Sequence, residues 1–543
     1  MDIPAAQVRA LLLSRDEVVI ADVREEAVYA QGHPLWAANF PLSRLEPDAW
    51  RRIPRRDTPI VVYGDANAPA HQAISVLRQL GYSRVHALLG GLDGWIASGG
   101  EVFQDVNVPS KAFGELVESI NRTPSLTARH VQALIDSGRP PVIVDARRFD
   151  EFSTMSIPTA TSVPGAELVL RIRELAPDPA TPVVVNCAGR TRSIIGTQSL
   201  INAGLPNPVA ALRNGTIGWT LAGQRLDHGA TRTAPRTVAE SHRSLARAGA
   251  RTIARRAGVT FIRATDLPGL HRPDRTTYVF DVRSAAEFAG GHLDGSRHAP
   301  GGQLVQETDH YAPVRGARIV LVDDDGVRAA MTGSWLAQMG WETWAISPAA
   351  PGDLTRQGEE PAPLPEPPQV DTVDAATLRT WLSTVRPRTV VIDVAPSRDY
   401  AAGHIPGAWY AIRAQLPAAL GAIGPAARFV VTSPTGVRAR FAAADLRRLT
   451  TAPVFALDGG TAAWRAAAPP EPDRALETDP ALESDPALET DPARYAVDPA
   501  DRYRRPYEGA DNARTAMEAY LAWEFGLVEQ LERDGTHHFR VVQ

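Results

Sequence analysis

Residues 183–193 read VVVNCAGRTRS: a β-branched apolar run, the only cysteine of the chain at Cys187, and a short loop with two arginines. A helical pattern opens at Ser193, so the stretch predicts a strand, a loop and a helix in succession. A thiol in a loop before a helix meets backbone N–H groups and the positive end of the helix dipole. Such surroundings lower a thiol pKa to about 3.5–7.5, so we expect Cys187 to form a reactive thiolate.

The pattern around Cys187 occurs four times along the chain. An apolar strand ends in aspartate in every copy, at Asp22, Asp145, Asp281 and Asp393. A second apolar strand follows, and the position of the cysteine lies 42 residues after the aspartate in three copies and 40 after it in the fourth. That position holds Gly64, Cys187, Asp323 and Ser433. A period of roughly 100 residues predicts four tandem domains.

Within each copy, short β-branched runs alternate with helical stretches. This alternation predicts an α/β fold, in which each domain is a mainly parallel sheet flanked by helices. Functional groups in such sheets lie beyond the carboxyl ends of the strands, where Cys187 falls. The predicted segments are four domains at 1–105, 120–228, 250–350 and 371–468, an acidic Asp-Pro linker at 469–505, and a C-terminal helical tail at 506–543.

The C-terminal tail carries an amphipathic pattern from Asp511 to Arg533 that predicts one helix. Its apolar side chains include Leu521, Trp523 and Leu527, which need a surface to cover them. That surface belongs either to the four domains or to another copy of the chain in a homo-oligomer. We expect docking rather than a separate activity.

Composition excludes several classes of function. A net charge of -5, with basic residues scattered, gives no indication of nucleic-acid binding. We expect a cytoplasmic protein, because no apolar run reaches membrane-spanning length and Met1-Asp2-Ile3-Pro4 does not begin a signal peptide. A single cysteine rules out an internal disulfide and a multi-cysteine zinc site, and we expect neither metal nor cofactor. A modified Cys187 must be discharged by an external small molecule.

Several motifs together resemble the rhodanese domain. These are the Asp-Val-Arg strand end, the Gly-His segment best preserved at Gly403-His404, the strand-Cys-loop-helix and a closing Gly-x-x-x-Trp. The resemblance covers all four units and implies the rhodanese α/β fold. For the second unit it implies sulfurtransferase activity through a Cys187 persulfide. This unit departs from the pattern with Met155-Ser156-Ile157-Pro158 in place of the Gly-His segment, and with Asn214-Gly215 where two other units have Gly-Gly.

The implied reaction is a double displacement at Cys187. The thiolate takes the outer sulfur of an anionic donor such as thiosulfate, and a thiophilic acceptor, cyanide or a thiol, then takes it from the persulfide. Asp145 is interpreted as scaffold. The residues expected to bind the small-molecule donor, through loop N–H groups, hydroxyls and guanidinium groups, are Ala188, Gly189, Arg190, Thr191, Arg192, Ser193 and, at the rim, Arg147.

The other three units lack a thiol. The first has neither nucleophile nor arginine after Gly64, and in the third the carboxylate of Asp323 is expected to repel a donor anion. Ser433 and Arg438 of the fourth keep the Cys187–Arg192 spacing, which predicts a residual anion site without a base to activate the serine. A metal site at Asp323–Asp325 or at His537-His538 is the weaker interpretation. We expect Asp323–Asp325 to form a solvated loop and the two histidines to lie on the surface.

Three alternatives to a sulfurtransferase stay open at the level of the sequence. Cys187 can be a buried small hydrophobe, as free cysteines often are. The chain can also be a scaffold or sensor whose units bind a partner or an anion while Cys187 responds to oxidants. A phosphatase or arsenate reductase has the spacing C-x5-R, whereas Cys187 to Arg192 is C-x4-R, a shorter loop that favours the smaller sulfur centre.

Overall fold

The structure is a computed structural model that describes residues 2–65, 67–359, 364–384, 386–467, 494–505 and 513–543. Most of the predicted Asp-Pro linker, residues 468–493, lies outside the described residues, as do residues 506–512 before the C-terminal helix. Four separate sheets are present in the described part of the chain, and all their strand pairs are parallel. The predicted fold class, four α/β units with parallel sheets flanked by helices, is confirmed.

The first domain alternates strands with helices as the sequence pattern predicts. Its elements are α1 Ala5–Ser14, β1 Val19–Asp22, α2 Glu26–Tyr29, β2 Ala37–Asn39, α3 Leu45–Arg52, β3 Ile60–Tyr63, α4 Asn67–Gln79, β4 Val85–Ala87 and α5 Gly91–Ala97. The sheet order is β2-β1-β3-β4. Every residue of β1 and β3 is buried, as expected for parallel strands covered by helices on both faces. A further helix, α6 Val108–Asn121, links this domain to the second.

The second domain contains the cysteine loop. Its elements are β5 Ser125–Leu126, α7 Ala128–Asp136, β6 Val142–Asp145, α8 Phe149–Thr154, β7 Thr161–Ser162, α9 Leu168–Leu175, β8 Val183–Asn186, α10 Thr191–Asn202, β9 Val209–Leu212 and α11 Gly215–Leu221. The sheet order is β5-β9-β8-β6-β7, so β8 and β6 are central neighbours. A long helix, α12 Glu240–Ala257, leads to the third domain and packs on α9.

The third domain repeats the order with β10-β14-β13-β11-β12. Its elements are β10 Thr260–Phe261, β11 Thr277–Asp281, α13 Ala285–Gly290, β12 Arg297–His298, α14 Gly301–Gln306, α15 Thr308–Tyr311, β13 Arg318–Val322, α16 Arg328–Gln338 and β14 Glu342–Ile346. Helix α16 is buried along its whole length, because α12 covers its outer face.

The fourth domain and the tail complete the described chain. Their elements are β15 Thr372–Val373, α17 Ala375–Leu382, β16 Thr389–Asp393, α18 Ser397–Ala402, β17 Trp409–Tyr410, α19 Leu416–Ile423, β18 Arg428–Thr432, α20 Val437–Leu446, β19 Val454–Leu457, α21 Gly460–Ala466, β20 Arg494–Tyr495, α22 Ala513–Phe525 and α23 Leu527–Asp534. The sheet order is β15-β19-β18-β16-β17-β20. The predicted single C-terminal helix is thus two helices, which are separated at Gly526.

Polar contacts join the domains, including the first and third, where Arg52 donates to the His310 carbonyl at 2.8 Å. Between the second and third domains, Arg328 binds Glu167 at 2.8 Å and the Trp335 indole donates to Ser199 Oγ at 2.9 Å. Between the first and fourth, Arg413 makes two contacts to Glu46, at 2.6 and 2.8 Å. One continuous apolar core runs through the first three domains, whereas the fourth domain has apolar clusters of its own.

The C-terminal helices cover surfaces of the same chain. Met517 and Leu521 of α22 pack against Ile217 of α11 in the second domain. Leu527 and Leu531 of α23 enter the shared core of the first three domains, beside α6. The surface that covers the apolar side of the tail helices therefore belongs to the domains of the same chain. No helix among the described residues is both long enough and apolar enough to cross a membrane.

Candidate active site

Cys187 stands at the carboxyl end of β8, and its side chain is only 2% exposed. The preceding residue fixes the base of the loop, since the Asn186 side-chain amide donates to Asp145 Oδ2 at 2.7 Å. Asp145 ends β6, the neighbouring strand. Two neighbouring strands of the sheet therefore fix the start of the loop, and Cys187 follows directly after them.

The N-terminus of α11 turns the loop carbonyls away from the thiol. The backbone N–H of Thr216 donates to the Cys187 carbonyl at 2.8 Å, and that of Ile217 donates to the Ala188 carbonyl at 2.9 Å. Gly215 makes this approach possible, because it has φ +54° and a methyl group there would lie 2.3 Å from the Cys187 oxygen. These bonds hold the carbonyls of Cys187 and Ala188 against the N-terminus of α11. The closing glycine of the repeat motif thus has a specific function at the loop.

The thiol lies against Ser193 at the start of α10. Cys187 Sγ is 3.5 Å from Ser193 Oγ, and the serine hydroxyl donates to the Arg190 carbonyl at 2.8 Å. Burial raises the pKa of the Cys187 thiol, while the charge of Arg192 and hydrogen bonds from Ser193 act to lower it. The expectation of a depressed thiol pKa is therefore wrong, because desolvation of the sulfur outweighs the nearby cation and donors.

Arg192 is held beside the thiol by a carboxylate of its own domain. Its two Nη atoms each lie 2.8 Å from a carboxylate oxygen of Glu151, on α8. Burial acts to raise the pKa of Glu151, but the Arg192 charge and hydrogen bonds hold it at about 2. The carboxylate is thus ionised across the physiological range, and it fixes the guanidinium while neutralising much of its charge.

Arg190 points out of the loop rather than toward the sulfur. Its Nε and Nη2 bind the two oxygens of Glu115 on α6, each at 2.7 Å, and Nη2 also binds Glu118. Its Nη1 donates to Asn214 Oδ1 at 3.1 Å, and the ring of Phe525 lies 4.2 Å from the guanidinium carbon. Its guanidinium thus anchors the loop to α6 while Arg190 also lines the cavity over Cys187, and its role in binding a sulfonate stays a prediction.

Arg147 does not lie at the rim of the site. Its side chain is 1% exposed and binds Asp145 through Nε and Nη2, at 2.9 and 2.8 Å, and the Met155 carbonyl at 2.6 Å. The first and third domains repeat this pair as Arg24–Asp22 and Arg283–Asp281. The prediction for Arg147 is corrected to a structural role, whereas the interpretation of Asp145 as scaffold agrees with these contacts.

The cavity over Cys187 is small and is walled by several parts of the chain. Its free volume is about 40 Å³, enough for roughly three water molecules at 10–15 Å³ each. The loop residues 187–192 line it, so the structure brings together most of the predicted site. The remaining walls come from outside the second domain, namely Asp105, Asn107, Lys111, Gln306, Arg505, Tyr520 and Glu524.

Lys111 and Glu524 are the functional residues that sequence reasoning missed. Lys111 Nζ binds Asp105 Oδ1 at 2.8 Å and lies 5.0 Å from the centre of the Tyr520 ring. Glu524 has no exposed surface, accepts from the Tyr520 hydroxyl at 2.9 Å through Oε1, and has no hydrogen-bond partner for Oε2. One signal was available: Lys111 is the only lysine of a chain with 57 Lys and Arg residues.

The equivalent loop of the third domain is filled by its own side chain. Asp323 accepts from the backbone N–H groups of Gly326 and Ala329, at 3.1 and 2.8 Å, and from Ser347 Oγ at 2.7 Å. Burial and the neighbouring Asp325 raise its pKa to about 8. The Asp323 side chain therefore occupies the loop donors itself and leaves them unable to bind a donor anion.

The fourth domain separates the two residues predicted as a residual anion site. Ser433 is 1% exposed, and its Oγ accepts from the Ala439 N–H at 3.2 Å. Arg438 lines a different cavity between the first and fourth domains, together with Arg44 and Asp501, and Ser433 is not among the described residues that line it. The two side chains therefore do not form one site.

Neither predicted metal alternative finds a cluster of ligands. Among the described residues, no group of three or more His, Cys, Asp or Glu side chains is placed to hold a metal ion. His538 Nε2 lies 3.0 Å from the Leu12 carbonyl, and His537 Nδ1 accepts from the Phe539 N–H at 3.2 Å. Both histidines are thus engaged by backbone groups, His538 by α1 of the first domain and His537 by the tail itself.

Comparisons with known proteins agree with this arrangement. A family profile described as "Rhodanese-like domain" matches residues 5–98, 127–222, 268–347 and 374–467. A sulfurtransferase from Allochromatium vinosum is 35% identical over 88 residues, which cover 16% of this chain and 80% of that protein. The crystal structure of a thiosulfate sulfurtransferase from Pseudomonas aeruginosa is similar over 100% of this chain and 99% of that one, at 56% identity and a TM-score of 0.93.

Proposed function

The chain belongs to the rhodanese family, and on this basis we propose that it is a sulfurtransferase in which Cys187 carries sulfane sulfur from an anionic donor such as thiosulfate to cyanide or a thiol. The observation that carries the proposal is the position of Cys187. It is the only thiol of the chain, and it lies at the base of a cavity lined by its own loop.

In the first half-reaction, the Cys187 thiol loses its proton and the thiolate attacks the outer sulfur of thiosulfate. The sulfur–sulfur bond of the donor breaks, and sulfite leaves with the electron pair. In the second, the acceptor attacks the terminal sulfur of the Cys187 persulfide, and the bonding pair returns to the cysteine as thiolate. With cyanide the product is thiocyanate, so atoms and electrons balance without an external oxidant.

The loop supports the charge that moves through this cycle. The hydroxyl and backbone N–H of Ser193 lie beside the sulfur, and Arg192 supplies positive charge near it. Fixed donors of this kind stabilise an anion without reorganising during the reaction. An incoming dianion also displaces water from the cavity and meets these groups in a low-dielectric setting, where each is worth more than in water.

The size of the cavity favours a small inorganic donor. A volume of about 40 Å³ suits an ion of a few heavy atoms, whereas an aryl phosphate does not enter it without movement of α22. This supports sulfur transfer over the phosphatase alternative, as does the C-x4-R spacing. The other three domains have no thiol at the equivalent position, so we propose that they act as supporting structure.

The direct test is transfer of sulfur from thiosulfate to cyanide, followed as thiocyanate. We expect turnover by the wild type and none by Cys187→Ser. Intact-mass analysis after exposure to thiosulfate should show one added sulfur on the wild type and none on the variant. A wild-type protein that gains no sulfur from any donor would contradict the proposal and favour a scaffold or sensor.

A further inference from the structure

The cations of the cysteine loop are both neutralised by glutamates. Arg192 is bound at both Nη atoms by Glu151, and Arg190 is bound by Glu115 and Glu118. A dianionic donor that enters the cavity therefore needs further groups to bind its sulfonate end. Those groups must lie on the wall opposite the loop, which the second domain does not supply.

That wall contains the ammonium group of Lys111, the guanidinium group of Arg505 and two carboxyl groups, those of Asp105 and Glu524. Lys111 on α6 has three N–H donors, and Asp105 takes one of them at 2.8 Å. The Lys111 side chain lies against the aromatic rings of Tyr520 and Trp523, with ring centres 5.0 and 5.4 Å from Nζ. The two rings restrict the movement of the Lys111 ammonium group, so its remaining N–H donors keep a fixed position.

Glu524 on α22 faces the same space. Its carboxyl lies directly over the loop, since a methyl group at Gly189 would be 3.2 Å from Glu524 Oε2. Tyr520 fixes the other oxygen at 2.9 Å, while Oε2 is buried in the cavity wall without a hydrogen-bond partner. Burial raises the pKa of Glu524 to about 8, against the lowering effect of Lys111. At neutral pH the group is therefore mainly the acid, which has an O–H to donate.

We propose that Lys111 and protonated Glu524 form the subsite for the anionic end of the donor, with Lys111 supplying charge and Glu524 Oε2 donating a hydrogen bond. This inference rests on the proposed function. It places donor recognition on the interdomain helix α6 and the tail helix α22, outside the domain that carries the nucleophile. When Glu524 ionises, the same oxygen repels the donor instead.

The effect of Glu524 ionisation on donor binding must be distinguished from the titration of the other groups around it. Titratable and charged side chains lie on every element that contributes to this wall. They are Asp105 and Lys111, Glu115 and Glu118 of α6, Cys187, Arg190 and Arg192 of the loop, Tyr503 and Arg505 of the segment before the tail, and Tyr520 of α22 itself. A variant that removes only the titration of Glu524 makes that separation.

The first measurement is the KM for thiosulfate of the full-length enzyme between pH 6 and pH 10. We expect the wild-type KM to rise by about tenfold per pH unit above pH 8, and that of Glu524→Gln to stay flat, because the amide keeps a donor and cannot ionise. Glu518→Gln, the same substitution on the exposed face of α22, should follow the wild type. Identical pH profiles for Glu524→Gln and the wild type would overturn the assignment of Glu524.

The second measurement is direct binding, which does not depend on turnover. Calorimetric titration of thiosulfate into Cys187→Ser should give a Kd at least tenfold lower than into Cys187→Ser with Lys111→Met and Asp105→Asn. The paired change removes the charge of Lys111 without leaving its buried partner ionised and alone. Equal Kd values would overturn the assignment of Lys111. Binding with no transfer in the wild type would instead contradict the proposed reaction and leave the subsite standing.

Discussion

Arg192 and Glu151 are joined by two contacts of 2.8 Å, so the cation nearest the thiol is held by a carboxylate from the same domain. The third domain repeats this pair as Arg328 and Glu287, with contacts of 2.7 and 2.9 Å. This arginine–glutamate pair therefore also forms in a domain that has no cysteine in its loop. In the second domain it sets both the position and the effective charge of Arg192, and that combination decides how easily Cys187 ionises.

Removal of the carboxylate should make Cys187 more acidic. In Glu151→Gln the charge of Arg192 acts on the sulfur with less opposition, so we expect the thiol pKa to fall. Arg192→Gln should raise it. The pH dependence of alkylation by iodoacetamide reports the change, since only the thiolate reacts. Glu287→Gln, the matched change in the third domain, should leave the alkylation profile as in the wild type.

A side chain at Gly215 should disrupt the packing of α11 against the cysteine loop. A methyl group there would lie 2.3 Å from the Cys187 oxygen and 2.6 Å from the Gly189 oxygen, on a residue with φ +54°. We expect Gly215→Ala to lower the free energy of unfolding by about 2–5 kcal/mol and to abolish activity. Urea unfolding and the thiocyanate assay measure the two effects.

Gly223 provides the control for that change. It also has a positive φ, +75°, but a methyl group there meets no atom within 4 Å. Gly223→Ala should cost only about 1–2 kcal/mol and leave turnover intact. Equal losses of activity in the two alanine variants would show that the loop does not depend on this contact.

Asp393 should make the fourth domain less stable as the pH rises. Ala395 stands where the other domains have an arginine, so Asp393 Oδ2 is buried without a partner, and burial raises the pKa of Asp393 to about 7. A raised folded-state pKa gives stability that is complete below about pH 4 and is lost as the pH rises through 7. Asp393→Asn should therefore stabilise the protein at pH 8 by about 1–3 kcal/mol and have little effect at pH 4.

Thermal unfolding at the two pH values tests this prediction. Asp281→Asn serves as the contrast, because Asp281 is paired with Arg283 at 2.6 Å. That variant removes the buried carboxylate of the pair and leaves Arg283 only its contacts to Asp324 and the Gly291 carbonyl, so it should lower the stability by about 3 kcal/mol. A gain from Asp393→Asn that is equal at both pH values would mean that ionisation is not the cause.

The glycine beneath the tail should control access to the thiol. A methyl group at Gly189 would lie 3.1 Å from Tyr520 Cε1 and 3.2 Å from Glu524 Oε2. Gly189→Ala should push α22 outward, and we expect Cys187 to be alkylated several-fold faster by a reagent larger than iodoacetamide. Gly204→Ala, at a position with free space around it, should not change that rate.

The repeat pattern was sufficient to predict the architecture of the chain. Apolar strands, a fixed spacing from aspartate to loop and a closing glycine are local features, and each corresponds to a local element of the structure. The same is true of the position of the loop itself, because Ala188, Gly189, Thr191 and Ser193 follow directly from the strand before them and the helix after them.

Two features of the site could not be predicted from local sequence patterns. They are the directions of its side chains and the cavity walls that come from distant parts of the chain. The spacing of Arg190 and Arg147 places both near Cys187, but the partners that turn them away, Glu115 on α6 and the strand-end Asp145, act through tertiary contacts. Glu524 reaches the site only because α22 packs on α11 and α6, which no local pattern encodes. The break at Gly526 likewise interrupts an amphipathic pattern that continues across it.

Because α22 lies near the end of the chain, the cavity wall that it forms is completed late in protein synthesis. Tyr520 and Glu524 are translated about 330 residues after Cys187, which at roughly 5–20 residues per second is an interval of about 20–60 seconds. During that interval the second domain can fold while its thiol faces solvent. The nascent protein thus passes through a stage in which Cys187 is open to cellular oxidants and alkylating agents, and arrival of the tail ends that exposure.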